Sequence, residues 1–252
     1  MKFVILGCGS SMGVPRADGF FGNCNPKNPK NYRTRCSAFL KTSSINILFD
    51  TSPDLRKQFL DNKIKNIHKV FYTHMHADQT HGINDLRVFF LKNKLKVPIY
   101  ADNKTKNYLT KSFSYCFKKH RDYPPILSIF LVKKNLVFNK KIRIQSIPVQ
   151  HGSINSTSYI INKKLAYLPD VNKIYKKDYN YFKNLKYLVI DCLRYKEHPS
   201  HYNLNEVLNL NRILKPKKMI LTNLHSDLDY NELLRKLPKN IKPAYDGLTL
   251  NL

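Results

Sequence analysis

Thr73-His74-Met75-His76-Ala77-Asp78-Gln79-Thr80-His81-Gly82 sets His74, His76, Asp78 and His81 within eight residues, directly behind the apolar run Val70-Phe71-Tyr72. On a β-strand continuing from Val70, alternate residues share a face, so His74 and His76 would point into one site. Two converging imidazoles followed by a carboxylate are a metal-ligand arrangement. A divalent ion held by such donors, with one position left open, activates water. Surface histidines on a loop fit the same letters equally well, so the reading turns on whether further ligands stand elsewhere.

Further candidates do appear, each behind an apolar strand-like run. The run 142–149 ends at Gln150-His151-Gly152, a hairpin over 157–161 and 164–168 ends at Pro169-Asp170, and the run 218–222 ends at Asn223-Leu224-His225. Open α/β sheets build their sites at strand ends, and four such coincidences favour a metal site. Other elements follow from pattern. Residues 2–6 read as a buried strand entering a Gly/Ser loop, and 36–42 with 45–50 as a hairpin about Ser43-Ser44. A helix is expected from Thr51-Ser52-Pro53-Asp54 to about residue 62. Strands are expected at 68–73, 97–101, three times within 127–149, at 185–191 and at 243–251. Helical spacing covers 81–91 and 104–113, and Asn203 with Glu206 resembles a capping box for a helix through Leu214. The basic stretch 16–36, with Arg16, Arg33 and Arg35, reads as a flap over a site or a solvated loop. Alternating strands and helices with two hairpins give an α/β chain with mixed sheets.

With 252 residues the chain fits one domain, 1–252, able to bury a core without disulfide staples. Its five cysteines are scattered and odd in number, and the simplest reading is a reducing cytoplasm. The apolar start, Phe3 to Leu6, is too short for a signal peptide, and nothing approaches the roughly 20 apolar residues that span a bilayer, so no membrane partner is expected. A net charge of +27 would concentrate anionic, phosphate-bearing molecules. Its lysines are spread over the whole chain, which makes nucleic acid a candidate partner but not the favoured one.

T-H-M-H-A-D-Q, taken with His151, Asp170 and His225, resembles the metallo-β-lactamase superfamily over nearly the whole chain. The opening G-C-G-S-S-M-G-V-P (7–15), L-F-D-T-S-P-D-L (48–55) and the H-P-S-H loop (198–201) are most similar to its phosphodiesterase branch, that of the phosphoribosyl 1,2-cyclic phosphate phosphodiesterases, with the tRNA 3′-processing endonucleases as relatives. The resemblance implies a four-layer αβ/βα sandwich, two mixed sheets with helices outside, and two divalent ions, Zn or Mn, along one edge. His74, His76 and His151 would hold the first ion, Asp78 and His225 the second, and Asp170 would bridge them. Gln79 stands where the family has a histidine ligand, which would weaken the second site or favour manganese. Asp50 would support a ligand histidine from behind. Only Cys24 and Cys36 lie where the branch clusters cysteines for a structural zinc, so none is expected.

The activity implied is attack of a metal-bridging hydroxide on a small, cyclic phosphate diester. Asp78 would take part in catalysis, and His201 would protonate the leaving group while His198 and Arg194 contact phosphate. A homodimer is compatible with this reading. A nucleic-acid-processing phosphodiesterase, a thioester or lactone hydrolase, and a non-catalytic metal or nucleotide binder are the alternatives.

Overall fold

Two seven-stranded sheets lie face to face, described over residues 1–252 by a computed structural model. The first contains β1 (Lys2–Gly7), β2 (Ser37–Lys41), β3 (Asn46–Phe49), β4 (Lys69–Phe71), β5 (Val97–Ala101) and β6 (Leu127–Leu131). The second contains β7 (Asn135–Phe138), β8 (Ile142–His151), β9 (Ile154–Ile161), β10 (Leu165–Leu168), β11 (Tyr187–Asp191), β12 (Lys218–Thr222) and β13 (Ile241–Pro243). The chain then returns to the first sheet as β14 (Leu248–Asn251), antiparallel to β1.

Alternation along the strands explains the layering. Phe3 and Ile5 of β1 face the second sheet, while Leu6 faces outward; Val189 of β11 faces the first sheet, while Leu188 and Ile190 face outward. Strands covered on both faces therefore read as unbroken apolar runs. Between the sheets the filling is largely aromatic, with the Phe49 ring 5.8 Å from Phe3, 5.5 Å from Tyr159 and 5.9 Å from Tyr167. Helices α1 (Leu55–Asp61), α2 (Ala77–Thr80), α3 (Arg87–Asn93), α4 (Asn103–Ser112) and α5 (Ser114–Phe117) follow strands of the first sheet. Leu55, Phe59, Phe89 and Leu109 cover its outer face. Helices α6 (Tyr179–Phe182), α7 (Leu204–Leu214) and α8 (Tyr230–Lys236) cover the second through Phe182, Val207, Leu210 and Leu233. This is the expected four-layer αβ/βα sandwich.

Both sheets are mixed. The steps β3-β4-β5-β6 and β10-β11-β12-β13 are parallel, and the remaining steps are antiparallel. Parallel strands end on one side, so Asp50, Thr73, Asp170, Asp191 and Asn223 arrive from both sheets at a common edge. Asp50 and Asn223 leave their strands with φ of 62° and 60°, a left-handed conformation that Asp and Asn tolerate better than most residues. The capping box on α7 is present, with the Asn203 side chain accepting from Glu206 N and the Glu206 carboxylate accepting from Asn203 N.

Several local expectations differ from the structure. The 81–91 helix is broken into a 3₁₀ turn at Ile83–Leu86 followed by α3. Gly82 N donates to Thr51 O at 2.8 Å, and a Cβ on Gly82 would stand 2.0 Å from Ser52 O, so the backbone there is held against the neighbouring loop. The last strand, expected within 243–251, is β14 at 248–251; the unexpected strand is β13, which ends at Pro243 in the other sheet, with Gly247 at φ 86° in the crossing. Helix α8 was not expected; Asp229 caps it by accepting from Asn231 N and Glu232 N. No helix is long and apolar enough to cross a membrane, and all five cysteines are buried and unpaired.

Within the basic stretch 16–36, neither flap nor solvated loop describes Asn31 and Arg33, which are fully buried. Arg33 Nη2 donates to Leu228 O at 2.7 Å and to Asn31 Oδ1 at 3.0 Å, while Asn31 Nδ2 donates to Asp229 at 2.6 Å. Arg33→Ala removes the guanidinium from Leu228 O, leaves Asn31 Oδ1 to Tyr230 N alone and empties a fully buried side-chain volume, and should lower the unfolding free energy by about 2–4 kcal/mol. Denaturant unfolding checks this; an unchanged midpoint would mean that the stretch is held by other contacts.

Candidate metal centre

His74 and His76 are not presented by strand alternation, because β4 ends at Phe71 and both residues lie in the loop behind it. Thr73 pins that loop: its N–H donates to Asp50 Oδ1 at 2.7 Å, and its carbonyl accepts from Thr157 N at 2.8 Å. The imidazoles converge nonetheless. His74 Nε2 lies 2.9 Å and His151 Nε2 3.2 Å from His76 Nδ1. Burial, followed by the neighbouring imidazoles, holds the His74 pKa well below its usual value, and burial lowers that of His151 to about 4.

A hydrogen bond behind the ring fixes the bare nitrogen of His151. His151 Nδ1 donates to Ser200 O at 2.7 Å, leaving Nε2 with its lone pair. His74 Nδ1 lies 3.1 Å from Thr73 Oγ1, whose hydroxyl is 3.0–3.1 Å from the Asp50 carboxylate. If that hydroxyl donates to Asp50, it accepts from His74 Nδ1–H and frees Nε2 for a metal. Asp50 thus reaches the imidazole through Thr73 rather than directly. Three imidazoles crowded at hydrogen-bond distance, with burial disfavouring the charged form of His74 and His151, suit a divalent ion, and the donor set fits one here.

A second group shares His151 and adds Asp170 and His201. His201 Nδ1 donates to Asp191 Oδ2 at 2.6 Å, and Asn223 Nδ2 donates to Asp191 at 3.2 Å and Asp170 at 3.3 Å. Burial alone would lower the His201 pKa, but Asp191, with Asp170 and Asp78 beyond it, raises it to about 9. Burial raises the Asp170 carboxyl well above the usual carboxylate range, and Asp78 adds to that shift. Gly152, at φ 59°, lets the 198–201 loop pack close: a Cβ there would stand 2.9 Å from Ser200 Cβ.

Other expected site residues are less converged. Asp78 and His225 join neither group, and His225 Nδ1 faces Asp227, 3.2 Å from its carboxylate. Gln79 is buried between acids, its Nε2 3.0 Å from Asp170 Oδ2 and 3.2 Å from Asp78 Oδ2. His81 bonds Tyr108 Oη at 3.0 Å and stays outside the site. His198 lies beside His201, with ring centroids 5.0 Å apart, whereas Arg194 folds onto the carbonyls of Lys196 and Glu197. Sequence reading singled out neither Asp191 nor Asn223; their only signal was a polar residue at or behind the end of an apolar strand.

Residues 45–223 match the family model described as a beta-lactamase superfamily domain. An octanoyltransferase of Porphyromonas gingivalis is 31% identical over 254 residues, covering 98% of this chain and 51% of that protein, so the chain spans about half the length of that relative. A ribonuclease Z of Methanococcus maripaludis is 25% identical over 252 residues, covering 95% of this chain and 73% of that protein. Among solved structures, a diphosphatase from the PhnP family shares 30% identity at a TM-score of 0.89, covering 100% of this chain and 97% of that one. Zinc-bound PqqB from Methylobacterium extorquens, at 17% identity and a TM-score of 0.76, covers both chains fully and shows likeness of fold.

Proposed function

Because the chain belongs to the beta-lactamase superfamily, we propose that it is a metal-dependent phosphodiesterase acting on a small phosphate diester, a cyclic one foremost. The observation that carries this reading is the imidazole trio set against His201, an imidazole held protonated, with the His151 and His201 rings 4.7 Å apart. Diester hydrolysis needs both features: activated water on one side of phosphorus and a proton for the departing alkoxide on the other.

His74, His76 and His151 would hold a zinc or manganese ion, with Asp170 beside them; the family expectation adds a second ion at Asp78, Asp170 and His225. Such an ion, when bound, supplies Lewis acidity that lowers the pKa of water toward about 7 and offsets phosphoryl charge. Asp191 fixes the His201 ring through Nδ1, which leaves Nε2–H to protonate the leaving oxygen. Asn223 ties Asp191 to Asp170 and so keeps the acid and the metal-side carboxylate in register. His198 flanks that path and would steer a phosphoryl oxygen; Arg194 serves the same loop by bracing its backbone.

Relatives named as a diphosphatase and a ribonuclease support a phosphate ester over a thioester or lactone. The octanoyltransferase name belongs to a chain about twice as long and lends nothing to this one. Buried, unpaired cysteines fit the cytoplasm as the place of work. Nucleic-acid processing is the second reading, favoured by the charge of +27 and the ribonuclease Z likeness. Incubation of zinc- or manganese-loaded protein with a cyclic ribose phosphate, a bis-aryl phosphate diester and a tRNA precursor separates the two. Turnover of the small diesters with intact tRNA is expected; cleavage of the tRNA alone would reverse the assignment.

A further inference from the structure

We propose that this centre holds one ion rather than two, and that the side-chain amide of Gln79 occupies the place of the second. The inference concerns ion number and stands apart from the identity of the substrate.

Asp78 and Asp170 are the two carboxylates a second ion would need, and Gln79 Nε2 already lies between them, 3.2 Å from Asp78 Oδ2 and 3.0 Å from Asp170 Oδ2. Gln79 is fully buried, so the amide has no solvent to turn towards. Its Oε1 has no hydrogen-bond partner. Turning the amide over would satisfy nothing, because Oε1 would then face two further acceptors; the paired acids select the orientation that offers them N–H. That N–H does part of a cation's work by placing a positive dipole end between two acids.

The other candidate donors stand apart from the place. His225 joins neither ligand group, and its Nδ1 is turned to Asp227, 3.3 Å from the backbone N and 3.2 Å from Oδ1. His81, the other imidazole nearby in sequence, is engaged by Tyr108. The other oxygen of Asp170 is likewise met by an amide, with Asn223 Nδ2 donating to Oδ1 at 3.3 Å. Nothing comparable fills the space among His74, His76 and His151, where the three side chains offer nitrogen donors only.

Metal counting tests this without reference to activity. The full chain is loaded with Zn²⁺ alone or Mn²⁺ alone, desalted, and analysed for metal by mass spectrometry, beside Gln79→Glu. The wild type is expected to retain about one ion per chain. Gln79→Glu keeps the length and volume of the side chain but replaces the donor with a third carboxylate between two acids; it should retain about two, since buried acids in contact call for a cation. Two ions in the wild type, or no gain in Gln79→Glu, overturns the inference. Zero ions in the wild type would overturn it together with the metal centre on which the proposed function rests, whereas two would leave that function standing.

Discussion

His76→Ala is expected to empty the imidazole trio of metal and to lower kcat/KM by about a thousandfold, with the melting temperature of chelator-treated protein unchanged. The size follows from several kcal/mol of Lewis-acid stabilisation at about 1.36 kcal/mol per tenfold in rate. His76 is the member of the trio to remove because its side chain is exposed, whereas His74 and His151 are buried and their loss would leave cavities. Its Nδ1 is also the nitrogen that both other rings approach. Metal content, kcat/KM and thermal unfolding of the same preparation check the outcome. Normal metal retention in His76→Ala would remove His76 from the centre.

His201→Gln should lower kcat on alkyl phosphate diesters by about 10²–10⁴-fold, the usual contribution of a positioned acid. A bis(4-nitrophenyl) ester should suffer far less, because its leaving group departs without a proton. The pH profile supplies a second readout. His201, with its pKa raised to about 9, loses its proton as pH rises, so wild-type activity on alkyl diesters falls on the alkaline side. A cation at the trio repels the imidazolium and moves that limb below 9. The limb should be absent in His201→Gln; equal losses on both ester classes, or a limb that survives, would deny His201 the role of acid.

The parts of this site that were legible in the sequence are those whose chemistry sits next to a strand. His151 is the last residue of β8, and Asp170 follows β10 by two positions, so apolar periodicity pointed straight at them. The approach of His74 to His76 was foreseen for the wrong reason: a loop pinned by Thr73 to Asp50 brings them together, with no strand under them. Asp191 ends β11 and gave the same kind of signal, but its significance depends on His201 reaching back across the 192–202 loop, a tertiary event. The placement of the Gln79 amide between Asp78 and Asp170 is not legible either, because identity alone does not say which end of an amide faces the acids. The stretch 16–36 was opaque for a related reason, since Asn31 and Arg33 find their partners at Leu228 and Asp229. The break at Gly82 likewise comes from Thr51 and Ser52, which lie far outside the helical pattern it interrupts.

The trio also has a mechanical meaning. His74 and His76 hang from the first sheet and His151 from the second, so an ion among them is a rivet through the seam of the sandwich. Neither sheet contains that rivet, and each keeps its own ladder without it. A metal bound there would tie the two halves at that edge, in addition to the aromatic core that already joins their faces.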